Sequence, residues 1–254
     1  MLGKLLKHEF KATGRVVMPV LALLVGVTAL MTLTGPMYWK HIENGDSSGV
    51  LGMVVGIMTF SILLAVSASI TVFNSIGRFH RNVLGDEGYL THTLPVTAGQ
   101  NLLARLIVSV TWTIVSLFVA FLSIGVISHV VSGTNILKTI GNALRYIFTD
   151  FGPKEIFSVA VAYISALSGI CLLYLWIFAS MSIGYSSNRR RVAISALVAF
   201  GLNLIRSSLD SAVLYGAELG IEEMNLIRLA VNVVECVVLF FAARYFLSKR
   251  LNLQ

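Results

Sequence analysis

Apolar positions along the chain gather into long unbroken stretches and do not alternate with polar ones. Six can be read directly: Val16–Leu33, Val50–Gly77, Leu106–Ser128, Ile156–Tyr185, Val192–Ile205 and Leu229–Val234. The last two are cut by Arg206 and Glu235, yet the flanking sequence stays apolar through Leu209 and through Ala243. A helix rises 1.5 Å per residue, so about 20 residues cross a hydrocarbon core of roughly 30 Å. All six stretches suit helices, and none shows the ten-residue alternation of a barrel strand. The pattern predicts an all-α, polytopic membrane fold with six transmembrane helices. They are expected at about 16–34, 50–77, 102–128, 155–185, 192–209 and 226–247, within a single membrane domain covering 1–254.

Composition agrees. Hydrophobic residues make up 56% of the chain and charged residues 12%, against about 25% charged in a soluble domain. The net charge of +7 acquires meaning from where the cations fall. An even number of spans puts both termini on one side. That side carries thirteen cations: Lys4, Lys7, Lys11, Arg15, Arg78, Arg81, Arg105, Arg189, Arg190, Arg191, Arg244, Lys249 and Arg250. The other carries six: Lys40, Lys138, Arg145, Lys154, Arg206 and Arg228. The excess predicts that both termini are cytosolic; the membrane is expected to be a plasma membrane of bacterial cytoplasmic type. Basic residues scattered over separate loops cannot form one groove, which argues against a nucleic-acid partner. The first span has a basic start, but its 18 uncharged residues exceed a signal-peptide core and no A-x-A site follows, so it is expected to be retained. Cys171 and Cys236 fall within spans four and six, where a thiol behaves as a small hydrophobe. Neither a disulfide nor a metal site is expected.

The polar elements follow. Residues 1–15 read as a separate amphipathic helix lying in the membrane interface. Lys4, Lys7, Lys11 and Arg15 line one stripe, opposite Leu2, Leu6, Phe10 and Val17, with lipid phosphate as the partner of the cations. Thr34–Gly49 reads as an external loop with Tyr38 and Trp39 as interfacial anchors. In the loop His129–Lys154, Ile136, Ile140, Leu144 and Ile147 repeat at helical spacing. Ser186–Arg191 is a tight hairpin, and Asp210–Asn225 is an acidic external loop. Small residues at Gly52, Gly56, Ser61, Ala65 and Ser69, and at Ser158, Ala162 and Ala166, predict close helix packing.

The cytosolic segment between spans two and three is the least expected part of the chain. Asp86 and Glu87 follow Gly85, where acids favour the start of a helix. Tyr89, Leu90 and Leu94 follow at helical spacing, and Pro95 ends the helix. Thr97-Ala-Gly-Gln100 then reads as a capping box opening span three. A short helix over 85–96, bounded by breakers, keeps Tyr89, Leu90 and Leu94 in an aqueous setting, where they gain only by packing on something.

Two patches carry a resemblance. The stretch Leu6 to Pro19, with Lys7, His8, Glu9, Phe10 and Lys11, resembles the N-terminus of permease subunits of type-2 ABC exporters. So does Gly85-Asp-Glu-Gly-Tyr-Leu-Thr-His-Thr-Leu-Pro-Val between spans two and three. The likeness covers the whole chain in layout but specific residues only there. It implies a connecting helix (Lys4, Lys7, Glu9, Lys11, Arg15) and a coupling helix that meets an ATPase subunit through Asp86, Glu87, Tyr89, Leu90, Leu94 and Pro95. It also implies two permeases, as a homo- or heterodimer, with two cytosolic ABC ATPase subunits, exporting a hydrophobic or amphipathic cargo such as a peptide, antimicrobial or drug. The chain has no G-x-x-x-x-G-K-S/T loop. It is therefore expected to bind no cofactor and not to be an enzyme, with ATP and Mg on the ATPase partner.

Two charges interrupt the spans. With span five running outward from about 192 and span six inward from about 227, Arg206 sits some 21 Å from one side and Glu235 about 12 Å from the other. In a core of ~30 Å their depths coincide within a turn. Asn203 and Asn232 lie three residues away on the same faces, which predicts an intramembrane polar cluster with the ions paired or in a wet cavity. The alternative function is an ion- or proton-coupled secondary transporter or channel. An intramembrane protease fits less well: no His falls inside a span, and Glu222-Glu223 precede Arg228 by four residues where a prenyl-protein protease needs three.

Overall fold

In the computed structural model the described residues are 2–84, 97–132, 138, 141–142, 145, 149, 152–187, 190–215 and 221–249. They form α1 (Leu2–Glu43), α2 (Ser47–Phe79), a π-helical turn (His80–Leu84), α3 (Ala98–Ser132), α4 (Pro153–Gly184), α5 (Arg191–Tyr215) and α6 (Ile221–Lys249). There is no strand among the described residues. Six helices are long and apolar enough to cross a membrane: Leu2–Glu43, Ser47–Leu84, Ala98–Ser128, Pro153–Gly184, Arg191–Ser211 and Glu223–Ser248. Their surfaces carry large apolar side chains in the open, among them Leu33, Phe73, Phe121, Tyr163 and Val192. So much contiguous apolar surface is stable only against lipid. The chain is a multi-pass membrane protein.

The basic stretch at the start is not a separate element. Residues 2–15 are the first four turns, roughly, of α1, which continues without a break past Arg15 and through Pro19 and Pro36. No breaker separates the two parts. Thr13 is buried, and Gly14 lies so close to Trp112 that a Cβ there would meet its ring at 2.8 Å.

The expected loop Thr34–Gly49 is likewise mostly helix, leaving Asn44, Gly45 and Asp46 as the connection between α1 and α2. Gly45, at φ 78°, takes the left-handed conformation that ends α1. Its N–H reaches the Ile42 carbonyl at 3.0 Å and that of Asp46 reaches His41 at 2.9 Å, which satisfies two terminal carbonyls. Asp46 then caps α2, accepting from the Ser48 N–H at 3.0 Å and from its hydroxyl at 2.7 Å. These bonds, with a smaller contribution from His41, hold its carboxyl below the ordinary 3.8. The two helices approach closely because α2 offers Gly49 to Tyr38, His41 and Ile42, Gly52 to the Tyr38 ring, and Gly56 to Met31. Ser61, Ala65 and Ser69, farther along the same helix, face outward, as do Ala162 and Ala166 on α4. The predicted repeat thus packs only at its glycines.

By packing, the chain falls into two units. One comprises Phe10–Asn74 and Thr111–Phe151, the other Met1–Glu9, Ser75–Val110 and Gly152–Gln254. The first is organised around Leu24, Met31, Phe60 and Ile127. The second centres on Phe79, Val83, Leu84, Leu102, Tyr174, Phe178, Ala179, Tyr185, Ala243 and Leu247. There Phe79 stacks on Phe178 with ring centroids 4.2 Å apart, and α4 packs mainly on α6 and over a shorter stretch on α5. Where α5 meets α4, Gly184 leaves no room for a Cβ beside Ser195. Hydroxyls inside the helices are satisfied by their own turns, as Thr28 to Leu24 at 2.8 Å and Ser182 to Phe178 at 2.6 Å, so Ser and Thr cost little in lipid. Arg190, at φ 55°, and Arg191 open α5, an unfavourable end for cations.

Candidate functional site

Two ionic clusters stand out, both within the second unit. The first gathers at the start of α1, the end of α2 and the start of α3. Glu9 is buried, and its two carboxylate oxygens are divided between two arginines. Arg78 reaches Oε2 at 2.6 Å through Nη2, and Arg105 reaches Oε1 at 3.1 Å. Arg105 is held in turn by the Asn101 side chain at 3.1 Å and the Arg78 carbonyl at 3.3 Å. A carboxylate on this face is expensive to bury unless paired and fully hydrogen-bonded, and here it is both. The cluster ties α1 to the two helices that flank residues 85–96.

Those helices have firm ends. On one side the π-turn His80–Leu84 buries Val83 and Leu84 in the core, and the His80 ring hydrogen-bonds the Tyr185 hydroxyl. On the other the capping box closes reciprocally. The Thr97 N–H donates to Gln100 Oε1 at 3.1 Å, and the Gln100 N–H donates to Thr97 Oγ1 at 3.3 Å. Asp86, Glu87, Tyr89, Leu90, Leu94 and Pro95 lie outside the described residues, as do Ile136, Ile140, Leu144 and Ile147 in the third loop. On α1, Lys4, Lys7, Lys11 and Arg15 are exposed along one stripe while Leu6 and Phe10 are half-buried.

The second cluster lies between α4, α5 and α6. Arg206 Nη1 donates to Glu235 Oε2 at 2.9 Å and Nη2 to Asn232 Oδ1 at 3.4 Å, while Asp210, a turn along α5, stands 3.7 Å from Nε. Asn232 is buried and donates to the Ser168 hydroxyl at 3.0 Å. Asn203 is exposed and lines an adjoining cavity of about 510 Å³ together with Gly169, Trp176, Leu202, Arg206 and Glu235. The structure therefore brings Arg206, Glu235 and Asn232 together and leaves Asn203 at the rim. Sequence reasoning missed Ser168 and Asp210, and took Glu9 only as part of a basic stretch.

No group of His, Cys, Asp and Glu able to hold a metal occurs among the described residues. Cys171 and Cys236 are free thiols. The chain matches no protein-family model, no curated protein and no solved structure.

Proposed function

We propose that this chain is the membrane permease subunit of an ATP-driven exporter of the type-2 ABC kind. It would work as a dimer with cytosolic ATPases, with both termini in the cytosol of a bacterial-type plasma membrane. The observation that carries the reading is the Glu9 cluster. The resemblance assigns two elements to the ATPase contact: the start of α1 and the segment 85–96. Glu9 clamps the first to the helices from which the second emerges, through Arg78 at 2.6 Å and Arg105 at 3.1 Å. A push on that segment would reach the spans through a rigid junction, as coupling of domain closure to helix motion requires. ATP and Mg belong to the ATPase partner. This chain contributes the lever and the path, alternating between inward- and outward-facing arrangements.

The test is Leu90→Asp in the copurified complex. The variant is expected to insert normally and to lose the stimulation of ATP hydrolysis that the wild-type permease gives. Full stimulation in an inserted Leu90→Asp protein would refute the contact. A carrier or channel driven by ions alone draws on the paired charges in the spans, and predicts instead that no ATPase chain copurifies.

A further inference from the structure

From the half-open cavity beside Arg206 and Glu235 we infer a binding site for an amphipathic cation, a molecule with a compact apolar body and one positive charge. Volume and lining come first. A space of about 510 Å³ lined by Leu202, Trp176 and other apolar side chains together with Asn203, Arg206 and Glu235 has the make-up of a small-molecule site: apolar walls and a few polar groups. Gly169 lines it beside open space, since a Cβ there would meet nothing within 4 Å.

Charge selects the ligand. The cluster sets one guanidinium, Arg206, against two carboxylates, Glu235 at 2.9 Å and Asp210 at 3.7 Å. Its formal charge is −1. The next cation on α6, Arg228, is seven residues before Glu235, about 10 Å along the axis. An excess negative charge beside an apolar cavity within the spans attracts a cation and repels an anion, and low dielectric strengthens both effects. Arg206 is already engaged by Glu235 and Asn232, so it offers an incoming anion no free fork. Trp176 is in the lining, and an indole is the aromatic group that holds a cation best. Occupancy of the site does not need an ATPase. That the bound cation is the transported cargo rests on the exporter reading above.

The experiment measures binding to the purified full chain in phosphatidylcholine nanodiscs, without ATPase. The probes are tetraphenylphosphonium and its anionic counterpart of the same shape, tetraphenylborate, each read above empty discs. The phosphonium is expected to bind saturably and the borate not to compete. Gly169→Leu, which fills the cavity and spares every charge, should weaken phosphonium binding about tenfold or more. Asp210→Asn should weaken it about two- to fivefold. Gly201→Leu, also at a glycine with open space but outside the cavity lining, should bind as wild type and controls for folding. Binding unchanged in Gly169→Leu, or equal competition by the borate, overturns the proposal. Displacement by added phosphatidylethanolamine gives the cavity to a lipid headgroup, and a dimer that Gly169→Leu dissociates without phosphonium binding gives it to a second copy. Either result overturns it too. None of these outcomes bears on stimulation of ATP hydrolysis, so the site and the coupling reading can fail separately.

Discussion

The two ionic clusters of this protein are built from the same residue types in opposite proportions. At the base, one carboxylate, Glu9, is shared by two guanidiniums, Arg78 and Arg105. In the spans one guanidinium, Arg206, is shared by two carboxylates, Glu235 and Asp210. The Glu9 and Arg105 side chains are 9% and 5% exposed and Arg78 is 20% exposed, whereas Arg206 and Glu235 are 32% and 20% exposed and border a cavity. The first cluster, closed around Glu9 and Arg105, holds helices in place. The open one has a side turned to whatever enters the cavity, so its partners can be exchanged. An adjoining cavity, more than residue identity, separates a clamp from a binding site.

The comparison can be broken first at Glu9. Glu9→Ala leaves the buried Arg105 and the half-buried Arg78 without their carboxylate and should cost about 3–5 kcal/mol, seen as a large drop in Tm of the detergent-solubilised protein. Glu9→Gln, which keeps a hydrogen-bond acceptor but no charge, should fall between alanine and wild type. A loss for Glu9→Ala no larger than that of an exposed ion pair, below about 1 kcal/mol, would mean the clamp is not sealed.

A smaller effect is expected at the open cluster. Glu235→Ala should destabilise by about 1–3 kcal/mol, since Arg206 retains Asn232, Asp210 and partial access to the cavity. Combining it with Arg206→Met should recover part of the loss, because the lone cation is then gone. Equal Tm values for the single and double variants would show that Arg206 left without Glu235 is not a destabilising lone cation, and the contrast with Glu9 would widen accordingly.

Much of this was legible before any coordinates. Long apolar runs dictate helices in lipid, and the depth argument brings Arg206 and Glu235 level because rise per residue is fixed. Thr97 and Gln100 reveal their cap by spacing alone. The Glu9 clamp was also written in the sequence, but less visibly. At 100° per residue Glu9 stands nearly opposite Lys4, Lys7, Lys11 and Arg15, in the apolar stripe. An acid there must find a cation from another helix, yet only tertiary packing decides that Arg78 and Arg105 supply it. Ser168 and Asp210 escaped because a serine in a span usually bonds its own turn, and an aspartate near a span end usually meets water. The short connection at Asn44–Asp46 escaped because Gly35 and Pro36 look like a break. Within a membrane helix, Pro is tolerated when a neighbour packs as closely as α2 does through Gly49 and Gly52.

Transport in proteoliposomes tests the proposed coupling most directly. If the chain is the permease proposed above, the purified protein should move its cargo only when an ATPase chain and ATP are supplied together, and Glu9→Gln should slow that movement. Full-rate movement by this chain alone, driven by an ion gradient or by none, would contradict it.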